Sequence, residues 1–86
     1  MLTSERSMQR LGQFQEGESV NVDDTYMVVS MTGRVTQIKR SMRFIDGKPV
    51  RGSQVLSMTI ECEGLRDPLV ITKENVNQFF VQHQKE

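Results

Sequence analysis

The sequence predicts an all-β fold: a small antiparallel barrel of five to six strands, with a long central hairpin and a short 3₁₀ or helical turn near the C-terminus. Three observations carry this expectation. Runs rich in β-branched residues place polar and apolar side chains at the strand period of two. Glycine and one Asp-Gly pair punctuate those runs where turns are needed. The length of 86 residues, 36% of them hydrophobic, allows one domain with a core just large enough to fold unaided.

Residues 1–15 read as a polar N-terminal arm, and 16–84 as the barrel domain. Within the arm, Met8, Leu11 and Phe14 recur every three residues, which suits either a short helix beginning after Thr3 or Ser4, or a loose end. "GESVNV" then alternates Val20 and Val22 with polar residues. "TYMVVSM" (25–31) is a β-favouring run, expected as a strand sheltered on both faces or a short loop-strand leading onward. Gly33 is read as a break before "RVTQIKRSMRFI". There Val35 and Ile38 lie three apart, out of step with a strand, so a bulge or sharp bend is expected between them. Beyond it, Ile38, Met42 and Phe44 share one face.

"IDGK" matches a type I′ hairpin turn, whose central residues need positive φ. The returning run "PVRGSQVLSMTIEC" sets Leu56, Met58, Ile60 and Cys62 on one face, with Gly52 at a twist or loosened tip. "EGLRDP" is a turn and "LVIT" a short strand. For "TKENVNQFFVQHQKE" two readings stand: a helix capped by Thr72, with Val76, Phe79, Phe80 and His83 on its apolar face, or a tight "KENV" turn and a closing strand with Phe79 and Val81 inward. The second fits the strand count better.

Several chemistries are disfavoured. The single cysteine, Cys62, excludes an internal disulfide and reads as a small core residue, since it alternates with Ile60 and Met58. The single histidine, His83, reads as part of a frayed polar end rather than a catalytic base. Asp23 and Asp24 read as a turn-forming pair, too few oxygens for a divalent cation. Neither phosphate-binding glycine motif occurs. The expectation is therefore no enzyme, no cofactor, no metal and no membrane partner. With no apolar leader or spanning run and one cysteine, the cytoplasm is the expected compartment.

Laid end to end, the pattern resembles small SH3-like barrels, the group that includes KOW and Tudor domains. Gly17, Val20 and Val22 match the G-x-x-V-x-V piece; Gly33, Val35 and Ile38 match G-x-V-x-x-I; Glu74, Asn75 and Val76 match the one-turn step before the last strand. The chain departs from the group in its extra "TYMVVSM" segment, its long hairpin and the lack of an aromatic cage. The resemblance implies a five-stranded barrel and, through the KOW domains, work in transcription or translation.

Function centres on charge distribution. The formal net charge is zero, yet residues 33–52 hold Arg34, Lys39, Arg40, Arg43, Lys48 and Arg51 against Asp46 alone. That is a local +5, balanced by −5 over the other residues. Arg40 shares parity with Ile38, Met42 and Phe44, whereas Lys39 and Arg43 point outward, so only a ribbon protruding from the body would free all six. These six are the expected footprint for a nucleic-acid phosphate backbone, RNA or DNA. The alternative is a protein-interaction module (an accessory, adaptor or inhibitory subunit, with self-association possible) whose basic hairpin docks on an acidic partner. Charges that merely keep a sheet edge soluble form a third reading. For Phe44 two readings stand, a ring that stacks on an unpaired base and hydrophobic filling beside the turn, of which the second is the expectation.

Overall fold

A computed structural model describes residues 4–84. Helix α1 (Ser4–Arg10) runs into a 3₁₀ turn (Leu11–Gln13), and five strands follow: β1 (Ser19–Asp24), β2 (Val29–Ile45), β3 (Lys48–Cys62), β4 (Leu69–Ile71) and β5 (Phe79–His83). They form one antiparallel sheet in the order β4-β3-β2-β1-β5. The expectation of an all-β chain with a dominant central hairpin holds. Among the described residues no helix is long and apolar enough to cross a membrane.

β1 buries Val20, Val22 and Asp24 in strict alternation and is flanked by β2 on one side and β5 on the other. For the run after it, the reading as a loop leading into the next strand holds and the sheltered strand does not. Residues 25–28 form an exposed turn, and only from Val29 does the chain re-enter the sheet, opposite Asp24. The Asp24 carboxylate decides this. It accepts hydrogen bonds from the backbone N–H groups of Tyr26 and Met27 at 3.0 Å each, offering the chain a turn in place of a ladder. Gln78 adds a donor from the β4–β5 connection. These bonds, led by the one from Met27, hold the Asp24 carboxyl below its ordinary range against the opposing effect of burial. The expected turn-forming role holds for Asp24 but not for Asp23, which stays in the ladder opposite Ser30 and accepts from its hydroxyl at 2.6 Å.

Gly33 does not break the chain; β2 runs straight through it, pairing Gly33 with Val20 and Cys62. A glycine is needed there for proximity. A Cβ would stand 2.7 Å from both the Glu61 carbonyl oxygen and Ile60 Cγ2. The bulge expected after Val35 is present: Val35 pairs with Ile60 and Gln37 with Thr59, which leaves Thr36 extra and returns Ile38 to the buried face.

A second irregularity, unanticipated, lies on β3. Lys39 pairs with Ser57 but Arg40 with Val55, so Leu56 is squeezed out of the ladder. Leu56 is accordingly 43% exposed, and Val55 takes the core position instead. The shared face expected for Leu56 with Met58, Ile60 and Cys62 therefore fails at Leu56, because one extra residue reverses the parity of everything beyond it. Met42 and Phe44, expected beside Ile38 in the core, lie past its edge, 59% and 75% exposed.

The core gathers Val20, Val22, Val35, Ile38, Val55, Met58, Ile60, Ile71, Val76 and Val81. Met8, Leu11 and Phe14 enter the same cluster, so the N-terminal segment packs as a helical plug over the sheet; its first three positions lie outside the described residues. At the C-terminus the strand reading prevails. Successive i→i+3 bonds (Asn75 N–H to Thr72 O, Gln78 N–H to Asn75 O) make tight turns, and β5 follows with Val81 buried and Phe79 packed on the core. His83 is no frayed end. It pairs with Val20, its ring lies 4.4 Å from that of Phe14, and Nδ1 contacts Glu18 Oε2.

Candidate nucleic-acid interface

Past Ile38 on β2 and Val55 on β3 no hydrophobic side chain is buried, yet the two strands stay paired to the turn. From Ile38 to Ile45 are seven residues, about 23 Å of strand at roughly 3.3 Å each. The result is a two-stranded arm on a body that measures 46 × 30 × 25 Å with it. At its end Asp46 and Gly47 take φ of 53° and 76°, the geometry of the expected type I′ turn.

Register assigns the arm's side chains to faces. Met42 opposes Arg51 and Phe44 opposes Pro49, so these four share one face. Arg43 opposes Val50 and Ile45 opposes Lys48, which share the other. Arg40 and Arg51 anchor the root. The Arg40 guanidinium donates to the Gly12 carbonyl and that of Arg51 to the Ile38 carbonyl, each at 3.2 Å. Nearby, the Ile38 N–H donates to Glu16 Oε2 at 2.9 Å. Together with Phe14 and Gln15 these groups line a shallow hollow of about 170 Å³. Each arginine spends one N–H of its five on these bonds.

Of the six cations expected to act together, five are gathered: Lys39 and Arg40 at the root, Arg43, Lys48 and Arg51 along the arm. Arg34 stands apart. It sits in the body of the sheet between Ser19 and Glu61, in a depression shared with Glu63. Among the described residues none of the six has a carboxylate oxygen within 4.0 Å. Two acids lie close by: Glu16 lines the hollow with Arg40 and Arg51, and Asp46 sits in the turn, which leaves the arm with a net positive charge.

Sequence reasoning missed the apolar half of this surface: Met42, Phe44, Ile45 and Val50 are all exposed on the arm. One signal was available. Val55 and Leu56 are adjacent and both apolar, which a one-faced strand does not accommodate without a bulge. Cys62, in contrast, is buried as expected, and burial pushes its thiol above the ordinary range, away from nucleophilic use.

No family model matches this chain, and neither a curated protein nor a solved structure is found similar to it. Function must be argued from the arm alone.

Proposed function

We propose that the chain is a non-enzymatic binding module that holds the phosphate backbone of RNA or DNA with its β2–β3 arm. The observation that carries this reading is the set of Lys39, Arg40, Arg43, Lys48 and Arg51 on a projecting ribbon, without carboxylate partners among the described residues. Guanidinium and ammonium groups on both faces of a ribbon suit a polyanion, whose charges are repeated and need no single orientation. The body serves as a scaffold, which we read as an SH3-like barrel. In support, β1 lies between β2 and β5, and the Thr36 bulge gives the long strand the extra bend that coiling requires. A reducing cytoplasm suits the one buried, unpaired cysteine.

The test is a salt titration of oligonucleotide binding by fluorescence anisotropy. Log K should fall linearly with log salt, and the pair of substitutions Arg43→Glu and Lys48→Glu should flatten the slope by about 1.4 to 1.8. If the unaltered protein binds no oligonucleotide at low salt, the reading is wrong. An acidic protein surface is the second reading, favoured by the exposed Met42, Ile45 and Val50 between the cations.

A further inference from the structure

We propose that Phe44 is a base-stacking residue and that the arm's ligand is nucleic acid with unpaired bases: single strands, loops or frayed ends. This rests on the phosphate-binding reading of the arm and narrows it.

The argument begins with what the fold does not explain. Phe44 is 75% exposed, and its cross-strand neighbour Pro49 is exposed as well. The core ends at Ile38 and Val55, so the ring fills nothing beside the turn. A strand that only had to stay paired and soluble would carry Thr, Lys or Glu at this position. Large apolar side chains collected on one projecting element mark a contact surface.

The neighbours say what kind of contact. Arg43 precedes Phe44 in the chain, and Arg51 shares its face one cross-strand pair nearer the root. Two residues of strand separate those pairs, about 7 Å along the backbone, and the Arg51 side chain reaches from there back toward the Ile38 carbonyl at the root. The ligand that suits this arm is anionic and presents flat apolar faces beside its charges. A nucleic acid strand does so only where bases are unpaired. In a closed duplex the base faces are covered by their neighbours and only hydrogen-bonding edges remain, which a phenyl ring cannot read. An unstacked base offers its face to any aromatic ring, whatever its sequence.

An anionic bilayer also combines charge with apolar matter, but the arm is built wrongly for it. β2 beyond Ile38 pairs only with β3, and β3 before Met58 pairs only with β2. Both outer edges of the ribbon thus carry backbone groups outside the ladder, which hydrocarbon would leave unsatisfied. Cations also interleave with apolar residues on both faces, so neither face can enter a membrane without its charges.

The chain holds no tryptophan, which makes Phe44→Trp a clean reporter. Titrated with oligo(dT), the introduced indole should be quenched by stacking, and a loop-free, G·C-rich two-strand duplex of equal charge should leave it unchanged. Phe44→Ala should weaken oligo(dT) binding about 5- to 150-fold, the range for one lost base–aromatic stack, while keeping the salt slope of the unaltered protein. Several outcomes overturn the inference alone: an unquenched indole despite salt-dependent binding, equal losses on single strand and duplex, or a blue shift on phosphatidylserine vesicles without oligonucleotide quenching. Absence of any oligonucleotide binding by the unaltered protein overturns the phosphate-binding reading first and this one with it.

Discussion

Excising most of the arm separates its role in binding from any role in folding. Deleting Met42–Ile45 and Lys48–Arg51 leaves Ser41-Asp46-Gly47-Gly52, which keeps the native turn and removes four residues from each strand, so parity is preserved. Every residue in 42–51 is exposed, and among the described residues one side-chain bond, Arg51 to the Ile38 carbonyl, ties that stretch to the body. Stability should change by about 1 kcal/mol or less, equivalent to roughly 4–8 °C in melting temperature for a domain of this size. Binding should change far more. The deletion removes Arg43, Lys48 and Arg51; at about 0.7 per phosphate contact on a single strand, the salt slope should fall by about 2. Carried over one decade of salt, that is about a hundredfold loss of affinity at 0.1 M relative to 1 M. Circular dichroism melting reads the first quantity and anisotropy with labelled oligo(dT) the second. A shortened protein that no longer folds, or one that binds within a few-fold of the full chain, would refute the reasoning.

Two further outcomes test the body. Gly33→Ala forces a methyl group to 2.7 Å from the Glu61 carbonyl oxygen and Ile60 Cγ2, so urea unfolding should show a loss of about 1–3 kcal/mol. The Asp24 carboxyl is held below its ordinary value of 3.8, so its contribution is present above that value and is lost as pH falls through the lowered one; melting temperature recorded between about pH 5 and pH 2 should decline less for Asp24→Asn than for the unaltered chain.

Local chemistry was legible wherever one residue type settles one geometry. Asp46-Gly47 announced the turn, the offset between Val35 and Ile38 announced the Thr36 bulge, and the alternation of Met58, Ile60 and Cys62 announced the inner face of β3. Errors arose where neighbouring signals competed. "TYMVVSM" carries strand-forming side chains, but the Asp24 carboxylate claims the backbone N–H groups that a ladder would need. Phe14, His83 and Glu18 come together from distant stretches, and nothing in either stretch marks the meeting.

The sequence by itself determined a β-rich chain, a central hairpin with its turn, and a cluster of cations between two acidic stretches, because turn propensity, side-chain period and charge are properties of a few consecutive residues. Tertiary structure decided where the core stops. Val55 lies on β3, which α1 and the 3₁₀ turn pack against, and Ile38 joins the same core cluster, whereas Met42 and Phe44 do not, although all four look alike in the chain. Burial depends on what packs from elsewhere, and three register shifts (at Thr36, at Leu56, and between Arg40 and Met42) reset the relation between sequence and face. That boundary turns a strand pair into an arm, carries Arg43 and Lys48 out past the core, and brings Phe44 into the open.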